Sequence, residues 1–296
     1  MTIFKWHFVQ AILIWLFLAN LASADVRPIL PAGKPPGEDL NNSKWLVFQQ
    51  GRFSIISLDD RQGEWIAANI EEMKTWCLTR WGLPTFEFSN ECRIHCVPNK
   101  SMLKKYFNLD EGYVEIRRKD SEIEISAIWL AFDDNPGRLI PPYLTSVCLA
   151  EFEEKHQIRL GWWFKRGLTG LNSSLFDIRS RLSFLSGKVE KDEPMFMAEK
   201  IFLVTEQQYD EFSPEKRKLF DAEAMYLCLL LRKEFGQVKM HSFVKLCDQQ
   251  QPHQALKAIY RFDSYQEFDA SFMRYIRDLS SDIIKSKTPD SYLKAK

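Results

Sequence analysis

Apolar residues alternate with polar ones in the first half of the chain, and they recur at three- and four-residue steps in the second half. The alternating stretches predict strands in four places: 44–58 (a two-stranded hairpin), 92–97, 112–117 and 122–130. Helical periodicity predicts helices at 59–81, 99–107, 144–155, 162–171, 174–185, 194–205, 214–235, 240–248, 253–260 and 264–284. We therefore expect an α+β fold, with a mixed β-sheet and helices in the N-terminal half and an all-helical C-terminal half.

The N-terminus has the three parts of a secretory signal peptide. Lys5 provides a positive charge, residues 11–19 are apolar, and small residues precede the expected cleavage after Ala24. An uncleaved membrane anchor is the alternative, but Gln10 and Asn20 interrupt an apolar stretch that is shorter than the about 20 residues a spanning helix needs. We expect cleavage, and delivery of the mature protein to the periplasm or the cell exterior.

Composition divides the remainder and limits its partners. Residues 25–43 form a Pro- and Gly-rich leader, 44–190 the half that contains the sheet, 191–285 the helical half, and 286–296 a flexible tail. The chain carries 40 basic and 40 acidic residues. Because nucleic-acid and anionic-membrane partners normally select a basic excess, this balance argues against both. The oligomeric state stays open.

Common chemical signatures are absent from the sequence. There is no G-x-S-x-G motif, phosphate-binding glycine loop, dinucleotide fingerprint or paired C-x-x-C motif. An even number of cysteines permits disulfides in an exported chain, but it does not fix their connectivity. These cysteines are Cys77, Cys92, Cys96, Cys148, Cys228 and Cys247.

The order of elements and two segments, 144–156 and 161–171, carry a resemblance to a known family. The segment Trp163-Phe-Lys-Arg-Gly-Leu-Thr169 is similar to the W-L-x-E-G-L-A stretch of thermolysin-type (gluzincin) zinc peptidases, and more narrowly of the exported peptidase MA-like family. In that family a preceding helix carries H-E-x-x-H and the Glu of the second stretch is the third zinc ligand. The resemblance implies a gluzincin-like fold with a peptide-binding cleft.

The same alignment implies that the zinc chemistry is lost. It places Thr145 at the first His, Ser146 at the Glu, Leu149 at the second His and Arg166 at the third zinc ligand. Thr and Leu cannot replace two imidazoles, Ser lacks the carboxylate that activates water, and Arg has no lone pair for a cation. We therefore expect no catalytic residues, metal or cofactor, and a pseudo-peptidase that binds a peptide or protein partner, with strand 122–130 as the binding edge.

Two other hypotheses stay open at this point. An active hydrolase could use a displaced metal site, for which the candidates are Glu151, Glu153, Glu154 and His156. Glu153 and His156 could share a helix face at i,i+3, but a solvated helix end of mixed charge is the favoured explanation. The third hypothesis is an unrelated exported α+β domain with a structural or interaction role.

Overall fold

The computed structural model describes residues 45–109, 112–119, 122–132 and 136–285, with the side chains of 136–138 and 282–285 excepted. The expected signal peptide (1–24), leader (25–43) and tail (286–296) lie outside the described residues. The described chain divides into two compact units. The first ends at Thr75 and resumes over Glu87–Pro136, and the second contains Trp76–Phe86 and everything from Gly137 onward. This division differs from the boundary expected at residue 190.

The first unit is built on a five-stranded mixed sheet, which establishes the α+β class. Its strand order is β1-β2-β3-β5-β4, with β2, β3 and β5 parallel and with β1 and β4 antiparallel to their neighbours. The strands are β1 (Leu46–Gln50), β2 (Phe53–Ser57), β3 (Cys92–Val97), β4 (Tyr113–Lys119) and β5 (Glu122–Ala131). All four predicted stretches are confirmed as strands.

The expected binding edge was wrong. The strand predicted over 122–130, now β5, lies between β3 and β4, and β4 forms that edge of the sheet. The reason is that the β4–β5 hairpin turns outward, so the strand that comes earlier in the chain ends up further from the centre. Sequence order alone does not specify which strand of a hairpin is inner.

Two helices accompany the strands in this part of the chain. They are α1 (Asp60–Thr79) and α2 (Lys100–Phe107), and α1 begins in the first unit and ends in the second. Ile66 and Ile70 of α1 are fully buried, as the predicted apolar stripe requires. The side chain of Asn99 caps α2 by accepting a 2.9 Å hydrogen bond from the Met102 amide.

The second unit is helical. Its helices are α3 (Pro136–His156), α4 (Trp162–Leu171), α5 (Leu175–Glu190), α6 (Met197–Ile201), α7 (Glu206–Asp210), α8 (Pro214–Phe235), α9 (Gln237–Gln249), α10 (Pro252–Tyr260) and α11 (Tyr265–Lys285). Helix α3 starts well before the predicted residue 144 and includes Pro141 and Pro142. Each proline lacks a backbone N–H and so removes one hydrogen bond from the helix, which nevertheless continues through both.

The predicted helix over 194–205 was also wrong. The structure has a single short turn, α6, followed by a separate helix, α7. Met197 has a φ of 59°, which a regular helix does not accommodate. Thr205 then starts α7 with a capping box, in which Thr205 and Gln208 exchange side-chain-to-backbone hydrogen bonds.

Helix α8 is the core of the second unit, with the residues from Phe220 to Leu231 all buried. Ser213 caps its start, and Gly236, with φ 84°, ends it. Helix α4 packs closely on α8, because a Cβ on Gly167 would lie 2.5 Å from the carbonyl oxygen of Ala224. Both ends of α8 agree with the predicted range 214–235.

All six cysteines are free thiols, five of them buried and Cys247 half-buried. Within the described ranges, no helix is both long enough and apolar enough to cross a membrane.

Candidate functional site

Helices α3 and α4 carry the positions that the resemblance assigns to zinc chemistry, and they lie side by side. The Ser146 and Thr169 hydroxyls are 3.2 Å apart, and Lys165 Nζ lies 3.3 Å from a carboxylate oxygen of Glu153. Later residues of α3 thus meet earlier residues of α4, so the two helices are antiparallel. The predicted helix pair is present.

Thr145, at the first His position, is buried and belongs to a chain of hydrogen bonds. Its hydroxyl donates a 2.7 Å hydrogen bond to the Pro141 carbonyl and accepts one of 2.7 Å from the Asn172 amide. The amide oxygen of Asn172 in turn accepts a 2.9 Å hydrogen bond from the indole of Trp81. The donated bond stays within α3, and the accepted bond links α3 to Asn172 at the end of α4.

The next two positions offer no catalytic group. Ser146 is half-buried, and its hydroxyl is within hydrogen-bonding distance of the Thr169 hydroxyl and the Pro142 carbonyl. Neither neighbour is a base that could take its proton. Leu149 is 1% exposed, so an aliphatic side chain packed in the core occupies the second His position.

Arg166, at the third-ligand position, is neutralised by an acidic neighbour. Its Nε and Nη2 donate hydrogen bonds of 2.8 and 2.5 Å to the two carboxylate oxygens of Asp221 on α8. The Tyr209 hydroxyl donates a third hydrogen bond, of 3.1 Å, to Asp221, and the Tyr209 ring lies 4.9 Å from the guanidinium carbon. This two-pronged contact is the geometry in which Arg and carboxylate bind most strongly.

The electrostatics of this cluster favour a fixed ion pair. Burial opposes the charge of Arg166, but hydrogen bonding to Asp221 and the charge of Asp221 outweigh it and raise the pKa of the guanidinium. Burial raises the pKa of Tyr209 to about 12, so its hydroxyl stays protonated and remains a donor. We name Arg166, Asp221 and Tyr209 the arginine cluster.

The four sequence-predicted positions are not joined directly. In the described part of the chain, no hydrogen bond or ion pair links any two of Thr145, Ser146, Leu149 and Arg166. The first two contact Asn172 and Thr169, whereas Arg166 turns toward α8. The positions share a helix pair, and each has a separate packing role.

The side chains proposed as ligands of a displaced metal site have other contacts and positions in the structure. Glu153 accepts a 2.8 Å hydrogen bond from the Leu160 amide in addition to its ion pair with Lys165. The exposed ring of His156 lies 4.3 Å from the ring of Phe152. Glu151 is buried and Glu154 half-buried. Over the described ranges, no group of three or more His, Cys, Asp or Glu side chains is arranged to hold a metal ion.

Sequence reasoning missed the acidic residues that complete the second unit. Asp221 and Glu223 interrupt a long apolar run in α8, and that interruption was the available signal. Glu223 accepts hydrogen bonds from the Phe196 amide, and Asp269 accepts one of 2.8 Å from the Ala198 amide. Burial raises the pKa of Glu223 to about 8, the hydrogen bond from Phe196 opposes this shift, and the charge of Asp269 adds to it.

The outer strand of the sheet is the candidate surface in the first unit. Strand β4 is bonded to β5 along one side, and a β-bulge interrupts their register between Arg117 and Arg118. Those two arginines and Lys119 are exposed, and Arg117 pairs with Glu115 at 2.5 Å. At the other end of the strand, the 50% exposed ring of Tyr113 packs on Trp129.

Comparison with known proteins adds no family. No protein-family model matches the chain, and no curated protein matches it either.

Proposed function

We propose that this chain is an exported, peptidase-like protein without zinc chemistry that binds an extended acidic peptide along the outer edge of β4. The observation that carries the proposal is the position of β4 at the end of the sheet. An edge strand presents unpaired backbone N–H and C=O groups in every other residue, and an incoming extended peptide can pair with them.

Charge complementarity supports an acidic peptide. Three basic side chains follow one another at the end of β4, and they outnumber the one acidic side chain of the strand, Glu115, which pairs with Arg117. Basic side chains and a bulge also discourage two identical edges from pairing, because like charges would meet. The same features suit an occupant of the opposite charge.

The residues at the four zinc-site positions support a role without peptidase chemistry. Thr145, Ser146 and Leu149 supply neither imidazole nor carboxylate, and Arg166 holds a positive charge where a cation would bind. Asp221, which could have been a ligand, is committed to Arg166. The signal-peptide pattern supports export, and an N-terminal sequence beginning at Asp25 in the secreted or periplasmic fraction would test that part.

Fluorescence anisotropy tests the binding. The probe is a labelled peptide of about seven residues, a usual strand length, in which Glu alternates with Thr. A peptide with Lys in place of Glu is the charge control. We expect the acidic peptide to bind saturably and the basic one not to bind. The double variant R117E/R118E should weaken binding by about tenfold or more, since each lost exposed pair contributes up to about 1 kcal/mol.

A control variant and a second measurement identify the surface. R52E reverses an exposed charge in the β1–β2 turn at the other edge and should bind like the unmodified protein. Hydrogen exchange should slow within 113–119 when the acidic peptide is bound, because strand addition engages backbone amides. Binding that R117E/R118E leaves unchanged, or protection confined to other segments, would contradict the proposal.

A further inference from the structure

Two arginines of the second unit lie against one buried indole without a carboxylate partner. Arg80, just after the end of α1, has its guanidinium carbon 5.4 Å from the centre of the Trp81 ring and 4.8 Å from that of Trp76. Arg232, in the last turn of α8, has its guanidinium carbon 4.7 Å from the Trp81 ring. Within the described ranges, neither side chain makes a hydrogen bond or ion pair.

Several other cationic side chains that are not fully exposed have acidic partners. They are Arg166 with Asp221, Lys165 with Glu153, Lys74 with Glu71 and Lys188 with Glu193. Arg80 and Arg232 are half-buried. They differ from these paired cations because two arginines without an acidic partner contact the same indole.

Like charges meet at this place. Both guanidinium carbons lie about 5 Å from the centre of the same ring, so they are at most about 10 Å apart. Burial lowers the pKa of both arginines, and the charge of Arg232 lowers that of Arg80 further. Contact with the Trp81 ring and the negative ends of α1 and α8 offset part of the repulsion. They supply no full negative charge.

The indole of Trp81 is held firmly. The indole N–H of Trp81 donates to Asn172, and His241 Nε2, at 2.8 Å, donates to the Trp81 backbone carbonyl. Burial lowers the pKa of His241, which keeps its imidazole neutral near pH 7. Trp81 is therefore a fixed support for two guanidinium groups, and such pre-organisation favours binding.

We propose that Arg80 and Arg232 form a binding site for a doubly charged oxyanion, the phosphate or sulfate type, either free or as the terminal group of a larger ligand. Two guanidiniums match two negative charges, and their planar donor forks fit the oxygens of a tetrahedral anion. A single carboxylate would leave one positive charge unmatched. This site is independent of peptide binding at β4.

Isothermal titration at fixed ionic strength tests the site. The probes are inorganic phosphate, glycerol 3-phosphate and acetate, with chloride as the background anion. We expect phosphate or its monoester to bind saturably with a higher affinity than acetate. Tighter binding of the monoester would identify a larger ligand as the source, and tighter binding of inorganic phosphate would identify the free ion.

Variants assign the binding to the two arginines. R80Q and R232Q should each raise the Kd by about tenfold, the loss expected for one charge-assisted hydrogen-bonding partner. R179Q, which removes an exposed arginine of α5, should leave the Kd unchanged. If the glutamine variants fold poorly, R80K and R232K take their place. They retain the charge but lose the donor fork, so they should bind phosphate with an affinity below that of the unmodified protein.

A measurement without any variant completes the test. Phosphate should raise the melting temperature of the unmodified protein above that in chloride of equal ionic strength, because a ligand of the folded state stabilises it. No saturable binding of any phosphate probe, equal affinity for acetate, or binding that both R80Q and R232Q leave intact would overturn the proposal.

Discussion

Replacing Asp221 by Asn should destabilise the second unit through the charge that it leaves behind. Asn keeps the size of the side chain but removes the anion that Arg166 faces in the arginine cluster. Removing one member of a buried ion pair typically costs about 3–5 kcal/mol. Because the side chains of Arg166 and Asp221 are 29% and 13% exposed, water can reach part of the pair, and we expect about 2–3 kcal/mol.

Urea unfolding measures this cost. With a slope of about 2–3 kcal/mol per molar urea, the midpoint should fall by about 1 M. Lys257 and Asp263 provide the matched control, since they form an ion pair at 3.0 Å whose side chains are 64% and 77% exposed. D263N should change the free energy of unfolding by no more than about 0.5 kcal/mol.

A double variant separates the ion pair from simple loss of packing. R166M/D221L replaces both charges with apolar side chains, which is often close to neutral for a buried pair. The buried Tyr209 hydroxyl then loses its acceptor, which adds about 1 kcal/mol. The double variant should thus be more stable than D221N. A D221N midpoint equal to that of D263N, or a double variant less stable than D221N, would refute this account of the arginine cluster.

Three further predictions follow from the buried groups and from the resemblance. Because the folded-state pKa of Glu223 is raised to about 8, the folded protein binds more protons than the unfolded chain above about pH 4.5, so its stability falls as the pH rises from there through about 8. E223Q should remove this fall from urea unfolding measured between pH 5 and pH 9, and an unchanged slope would contradict it. Burial raises the pKa of the Cys77 and Cys247 thiols to about 12, and Cys247 is the one cysteine that is not fully buried. A thiol reagent should therefore react with at most Cys247 in the native protein and with all six cysteines in denaturant. Fewer than six reactive thiols in denaturant would indicate a disulfide. A quadruple variant can restore the zinc ligands and the general base of the resembled family: Thr145→His, Ser146→Glu, Leu149→His and Arg166→Glu. If the alignment with zinc peptidases is correct, this variant, once folded, should bind one zinc ion, measured by metal analysis after dialysis. Folded variant without metal would argue against the alignment.

The parts of the fold that could be predicted are those with local causes. Helix α8 begins at a Ser-Pro pair and ends at a glycine, and both ends agree with the structure. Strand β3 was predicted with the bounds that it has, because its apolar alternation ends at clear turn residues. Helix α11 similarly follows Ser264, whose hydroxyl accepts a hydrogen bond from the Glu267 amide. Each of these depends on residues only a few positions apart.

The features that were not predicted correctly depend on residues that are distant in sequence. Arg166 and Asp221 are 55 residues apart in sequence, so no local pattern pairs them. The inner position of β5 depends on β3, which precedes it by a helix and another strand. The positive φ of Met197 lies at the start of α6, in a segment whose Phe196 and Ala198 amides bond to Glu223 and Asp269. Tertiary partners override helical propensity there.

The two proposed sites share one electrostatic feature, which is a local group of basic side chains. The chain has equal numbers of acidic and basic residues, so an overall field cannot select a partner by charge. Locally, the buried acids Asp221, Glu223 and Asp269 are all held by protein donors. Exposed basic side chains occur on β4 in the first unit, and two arginines without an acidic partner contact Trp81 in the second unit. Since both surfaces present positive charge, the physical expectation at each is an anionic ligand. The two are told apart by chemistry: an extended backbone is needed at β4, and a compact oxyanion at Trp81.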